Sequence, residues 1–439
     1  MPALRTPRWH GSVLPSGARV ILAPLPGRTS VAVTMLLGVG SRWEPLRLAG
    51  ISHFLEHAVF KGTERYPDSR SVSEAIEGVG GVLNASTDKE VTNFWSQVPR
   101  QRLKLAIDVL TDLVMAPRFD RDEMERERQV VAEELNMYLD QPAEVVQMDF
   151  DGLIWPGHPL ARDPAGTRPS LRRIGATQLS GYHSSFYRPE SLVVVISGGF
   201  SPQRALGLLE RRLEPALGAT RARAPFLASD GGIPSPLERA GEVKVRRRRA
   251  EQTHLLVGVR CSSYLAPDRW TLDVLNTALG EGMSSRLFLE LRERQALAYD
   301  VHSFTSRHRD SGALAVYLAT QPERAPAAVT GAMEEIRRLA QEELSAAELE
   351  RTKAQIEGRL MLQMESAGAL SEFLGNQELL TGEILSAADV VENVRLVSSA
   401  QVQALAGELL DAGGWRAAAV GPGVEREELL ATLQAGARN

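Results

Sequence analysis

His53, Glu56 and His57 lie within five residues of one another and have the side chains that metal-assisted hydrolysis needs. Residues 48–61 carry apolar side chains at Ile51, Phe54, Leu55, Ala58 and Val59, the spacing of a half-buried helix, and Gly62 supplies a stop. On that helix the two histidines, four apart, project from one face a turn apart, so both imidazoles can reach one Zn²⁺ at about 2.0–2.1 Å. Glu56 sits beside the pair, placed to take a proton from water on the metal without occupying the metal itself. The order His-x-x-Glu-His reverses the commoner zincin arrangement. With 8 His in 439 residues, such a pattern arises by chance in on the order of one chain in a hundred. A third ligand is therefore needed.

Residues 122–139 read as a long helix containing the adjacent acids Glu133 and Glu134. Glu134 has Val130, Val131, Met137 and Tyr138 three and four residues away, whereas Glu133 has only Val130 and Met137. The pattern thus predicts Glu134 on the buried face, where a carboxylate is costly unless a cation pairs with it. Zinc held by the two histidines would be that cation. Glu127, two turns earlier on the same face, is placed to orient a ligand from behind. A run this charged also reads as an ordinary solvated helix face.

Composition limits the alternatives. The 50 Lys+Arg against 55 Asp+Glu give a net charge of −5, which argues against phosphate-neutralising nucleic-acid binding. The single cysteine, Cys261, excludes an intrachain disulfide and any multi-thiolate metal site. No apolar run has the length of a signal-peptide core near the start or of a membrane span anywhere, so the sequence predicts a cytoplasmic protein with no membrane association. The Gly280/Gly282 loop is followed by no Gly-Lys-Ser/Thr, so a nucleotide is not expected.

The elements that must position the site fall into two halves. Residues 228–241 gather Gly, Pro, Ser and charges, as a linker does. We expect a metal-binding domain over 1–229, a linker at 230–241 and a homologous domain over 242–439. Sliding the sequence on itself by 223 positions lays Ile174 over Val397 and Leu192 over Trp415, with matching strand and helix patterns after each. Strands, hairpins and helices mixed in each half predict an α+β fold: two homologous domains, each a largely antiparallel sheet covered by helices, facing each other across a cleft.

Three segments resemble a known family: Gly40 to Pro45 (GSRWEP), Gly50 to Thr63 (GISHFLEHAVFKGT) and Glu127 to Glu134 (ERQVVAEE). They are similar to the inverted-motif zinc peptidases of the pitrilysin and insulysin type. The nearest likeness is to the half-length branch that includes the mitochondrial processing peptidase subunits and their bacterial homologues. The resemblance implies that His53, His57 and Glu134 ligate one zinc, that Glu56 is the general base and that Glu127 supports the ligands. It also implies two homologous domains per chain.

Two further segments carry the likeness. The run from Gly80 to Thr87, followed by Thr92 to Val98, alternates like a β-hairpin. By pattern alone it is an ordinary core hairpin; by resemblance its first strand is an open edge to which a peptide adds through main-chain hydrogen bonds, with Asn84 and Ala85 beside the scissile bond. The run from Gly280 to Tyr299 resembles the family's glycine loop, helix and Arg/Tyr segment, with Arg292 and Tyr299 as its pair. Guanidinium and phenol donors aimed at a peptide carbonyl stabilise an oxyanion, although by composition the two read as a solvated arginine and a strand tyrosine. Ala296 stands where the family has glycine, and its Cβ disfavours a left-handed turn there.

The resulting expectation is a zinc endopeptidase acting on short or unfolded peptides, as a homodimer or as a heterodimer with a homologous subunit. The competing expectation is a non-catalytic scaffold or partner subunit of the same fold. Relatives in that role look degraded at the metal motif, and this motif is intact. An N,N,O ligand set also accepts Mn²⁺ or Co²⁺.

Overall fold

The computed structural model describes residues 8–217, 237 and 241–438. Eleven strands are found among them: β1 (His10–Val13), β2 (Arg19–Pro24), β3 (Ser30–Leu37), β4 (Val82–Thr87), β5 (Thr92–Pro99), β6 (Leu192–Gly198), β7 (Glu242–Arg247), β8 (Thr253–Cys261), β9 (Asp300–Arg307), β10 (Gly312–Thr320) and β11 (Arg416–Gly421). They form two sheets, ordered β1-β2-β6-β3-β5-β4 and β7-β11-β8-β10-β9. Leaving out β1, the two orders are the same when strands are ranked within each half. In each sheet one pair is parallel, β2 with β6 and β7 with β11, and all others are antiparallel.

The internal repeat is therefore structural. Arg19 and Ser30 open β2 and β3; Glu242 and Thr253, each 223 positions later, open β7 and β8. The continuous apolar runs of β3 and β6 mark central strands buried on both faces, while β4 alternates exposed and half-buried residues as an end strand does.

The boundaries expected from sequence do not describe the packing. One compact unit comprises Met1–Leu135, Arg162–Gly232 and Met361–Ala387; the other comprises Asn136–Ala161, Ile233–Leu360 and Ala388–Asn439. Helix Pro142–Ile154, from the first half, packs Val145, Val146 and Phe150 against Leu256, Ala315 and Ala418 of the second sheet. Helix Ala367–Leu380, from the second half, packs Leu370 and Leu374 against Ile21, Leu36 and Val195 of the first. Glycines admit both. A Cβ on Gly258 would stand 2.6 Å from Phe150 Cζ, and one on Gly375 would stand 2.4 Å from Leu36 Cδ1. An apolar stripe announces that a helix covers a sheet but not which sheet, so the exchange is invisible to periodicity. Of the expected linker 230–241, only Leu237 and Gly241 are among the described residues.

Candidate active site

The first unit holds the histidines on helix Ile51–Val59, which buries Ile51, Phe54, Leu55 and Ala58 and leaves His53, Glu56 and His57 half-buried on its other side. Its N-terminus is satisfied by Glu44, whose carboxylate accepts the backbone N–H of Gly50 at 2.7 Å and of Ser52 at 2.8 Å. Burial lifts Glu44 to about 7, against the opposing pull of those two amides and of Arg162. Gly50 adopts φ +93, and a Cβ there would stand 2.7 Å from the Ala165 carbonyl oxygen. The helix is thus fixed at its start by a backbone approach that only glycine permits.

Across from the histidines runs helix Arg121–Asp140, with Glu134 half-buried and Glu133 exposed. The buried position expected for Glu134 is only partly what the structure shows. Val131 is fully buried, but Val130 and Met137, counted as its apolar neighbours, are 51% and 63% exposed. Glu134 accordingly emerges at the margin of the apolar packing, its side chain 28% exposed, and is not sunk within it.

Ligand atoms of His53, His57 and Glu134 all lie within 4.8 Å of one another, the one such His/Cys/Asp/Glu group among the described residues. Glu134 Oε2 is 3.3 Å from His57 Nε2 and 3.6 Å from His53 Nε2. Those distances are too long for good N–H···O hydrogen bonds. They are close to the about 3.3–3.4 Å that separates two ligands placed tetrahedrally around zinc at about 2.0–2.1 Å. The donor types suit a zinc ion, and the two spacings from Glu134 to the histidines match it.

The surrounding groups tune the imidazoles. His57 Nδ1 lies 2.9 Å from Glu127 Oε1, which fixes the proton on Nδ1 and turns the Nε2 lone pair toward Glu134. Burial alone would lower the His57 pKa, but the Glu127 hydrogen bond and the nearby carboxylates outweigh it and hold it above the ordinary value. Glu127, only 6% exposed, also meets Lys61 Nζ at 2.5 Å. Burial raises Glu127, and its bonds to His57 and Lys61 more than reverse that, so it is held as a carboxylate. His53 has no such support: its Nδ1 is buried with no hydrogen-bond partner among the described residues. Burial, with the His57 charge adding to it, pulls His53 down to about 4, leaving a neutral imidazole.

Glu56 Oε2 accepts a 2.6 Å hydrogen bond from Thr87 Oγ1, the last residue of β4. Burial raises the Glu56 pKa, with the Thr87 bond opposing, which moves the carboxylate toward the range suited to a general base. Sequence reasoning gave no role to Thr87, Lys61 or Glu44. All three lay inside or beside the quoted motifs, but each acts through a partner brought near by the fold.

Asn84 and Ala85 sit in β4, the terminal strand of the first sheet. The Ala85 N–H donates to Asn84 Oδ1 at 2.8 Å, while Ala85 pairs in register with Phe94 of β5.

Arg292 and Tyr299 belong to the second unit. The sequence predicts an α-helix over 283–292; the structure has a wider π-helical turn at Phe288–Arg294, in which Gln295 N–H reaches the Glu290 carbonyl five residues back. This turn stacks the Arg292 guanidinium 4.8 Å from the Phe288 ring centroid and 5.3 Å from that of Tyr299, which is 71% exposed. The pair is brought together, with its polar ends free to face a ligand. The path into Tyr299 passes through Ala296 at φ +51, the single non-glycine residue with positive φ among those described. The left-handed turn is therefore made despite its Cβ, at about 1–2 kcal/mol. Ala296→Gly is expected to stabilise the chain by about 1 kcal/mol after the added entropy of the unfolded state is subtracted. A denaturant titration with an unchanged or lowered midpoint would contradict this.

The family description "Insulinase (Peptidase family M16)" matches residues 19–168, and "Peptidase M16 inactive domain" matches residues 173–356. A protein of Mycobacterium leprae named as an uncharacterized zinc protease is 36% identical over 423 residues, covering 96% of this chain and 94% of that one. The chain belongs to peptidase family M16. A second relative, from Bacillus subtilis and also named an uncharacterized zinc protease, is 32% identical over 394 residues, covering 90% of this chain and 94% of its own. Among solved structures, a protease from Helicobacter pylori superposes with a TM-score of 0.87 at 22% identity, covering 95% of this chain and all of its own. An M16 inactive domain from Pseudomonas fluorescens reaches 0.86 at 18% identity, over 95% of this chain and 99% of its own. These two share the two-sheet M16 fold.

Although its two halves repeat, only the first half of this M16 chain carries the metal motif. At 223 positions beyond His53, Glu56 and His57 stand Asn276, Leu279 and Gly280, none of which reproduces the set. Among the described residues no helix is long and apolar enough to cross a membrane.

Proposed function

We propose that this M16 chain is a zinc-dependent endopeptidase of short or unfolded peptides, working in the cytoplasm as a homodimer. The observation that carries the reading is the convergence of His53, His57 and Glu134 with Glu56 beside them and Glu127 holding His57 from behind. Bound by those three ligands, zinc supplies Lewis acidity that acidifies water and polarises a carbonyl. Glu56 takes the proton of the attacking water on its carboxylate and delivers it to the leaving amine, so that water and amide become a carboxylic acid and an amine, which part at neutral pH as carboxylate and ammonium. The β4 edge holds the peptide by its main chain at Asn84 and Ala85, which favours extended, unfolded substrates over folded ones. Arg292 and Tyr299 donate to the carbonyl oxygen as it gains charge.

The test is hydrolysis of a mixed peptide set before and after chelation. Activity that is lost with the metal and restored by added Zn²⁺ is expected. Unaltered cleavage in chelator contradicts the reading, and a metal-replete chain that cleaves none of the set favours the scaffold alternative. A light-scattering mass of one chain would overturn the homodimer.

A further inference from the structure

The face of the first sheet turned away from the histidine helix is only partly covered. Helix Ala367–Leu380 packs there on β3, β6 and β2, leaving outer strands β4 and β5. The cross-strand pairs Val82/Gln97 and Asn84/Trp95 lie on this uncovered part. Thr87, an odd number of residues from both Val82 and Asn84, points the other way, to Glu56. Val82 is 53% exposed. Behind it opens a cavity of about 460 Å³, walled by Val82, Trp95 and Pro99 and completed by the neutral Ser30, Gln97 and Gln101. No charged side chain lines it.

A peptide added to β4 places successive side chains on alternate faces. The residue opposite Ala85 faces the histidine side. The residue three positions away, about 10 Å along the strand, lies opposite Val82 on the same sheet face, from which a long side chain reaches over Val82 toward the cavity that opens above β5. We propose that this cavity is a specificity subsite for a large uncharged side chain, aromatic or long aliphatic, three residues from the one that pairs with Ala85. The inference rests on the peptidase reading above and adds a substrate preference to it. The Trp95 and Val82 walls reward apolar area removed from water, and a carboxylate entering them meets no counter-charge. The occupant follows from continuity: the cavity adjoins the strand whose main chain is open to pairing.

The test uses peptides that differ only at the second, third or fourth residue on either side of the cleaved bond, carrying Phe, Leu, Asp or Lys. At one of these positions the wild type is expected to prefer Phe over Asp by about tenfold or more in kcat/KM, and Val82→Lys to narrow or invert that ratio by about tenfold. Trp95→Ala should narrow the same ratio without favouring Asp. Val82 is exposed on an end strand, so its replacement leaves the fold intact. A wild type indifferent at every position, or a Phe-to-Asp ratio unchanged in Val82→Lys, overturns the subsite while leaving the peptidase reading in place. A wild type that cleaves no peptide removes both.

Discussion

Glu56→Gln is expected to retain wild-type zinc content and to lose about 10²–10⁴-fold in peptide hydrolysis. The amide has the size of the carboxylate and can keep one hydrogen bond with Thr87 Oγ1, so helix Ile51–Val59 and β4 stay joined. It cannot accept the proton of the attacking water. Because the three proposed ligands are other residues, the loss falls on kcat and spares metal binding. Zinc content and steady-state kinetics on one preparation check both halves. Full activity would remove Glu56 from the chemistry, and loss of zinc would make it a ligand.

The second large effect is expected at Arg292. Removing one preorganised donor to a developing oxyanion lowers kcat by about 10²–10³, or about 2.7–4 kcal/mol, and Arg292→Ala should fall in that range with zinc content unchanged. The stacking of the guanidinium on Phe288 and Tyr299 means that the substitution also frees the Tyr299 ring. Tyr299→Phe separates the two contributions, because it keeps the ring for Arg292 to stack on and deletes only the phenol donor. A drop in kcat/KM from either variant that lies entirely in KM would show ground-state binding and contradict the oxyanion role.

Much of this was legible in the chain because it is local or repeated. Two histidines at helical spacing declare a common face, and Val131, fully buried three residues before Glu134, separates that acid from Glu133. The 223-residue offset gives the two-sheet fold, since equal spacing of β2, β3 and of β7, β8 follows from duplication alone. What stayed hidden depends on pairing between distant segments. Glu44 satisfies a helix start from outside it, Lys61 neutralises Glu127, and Thr87 reaches Glu56 from a hairpin end. No periodicity encodes such partners. The exchanged helices Pro142–Ile154 and Ala367–Leu380 were hidden for the same reason. The π turn before Ala296 escaped because its composition is that of any amphipathic helix; its one outward sign is an alanine where a left-handed turn prefers glycine.

The most direct measurement is the zinc content of the dialysed chain beside that of Glu134→Gln. We expect one zinc per wild-type chain and close to none in the variant, whose neutral amide cannot replace the carboxylate opposite the two imidazoles. One zinc retained in Glu134→Gln, or none in the wild type, would contradict the metal centre.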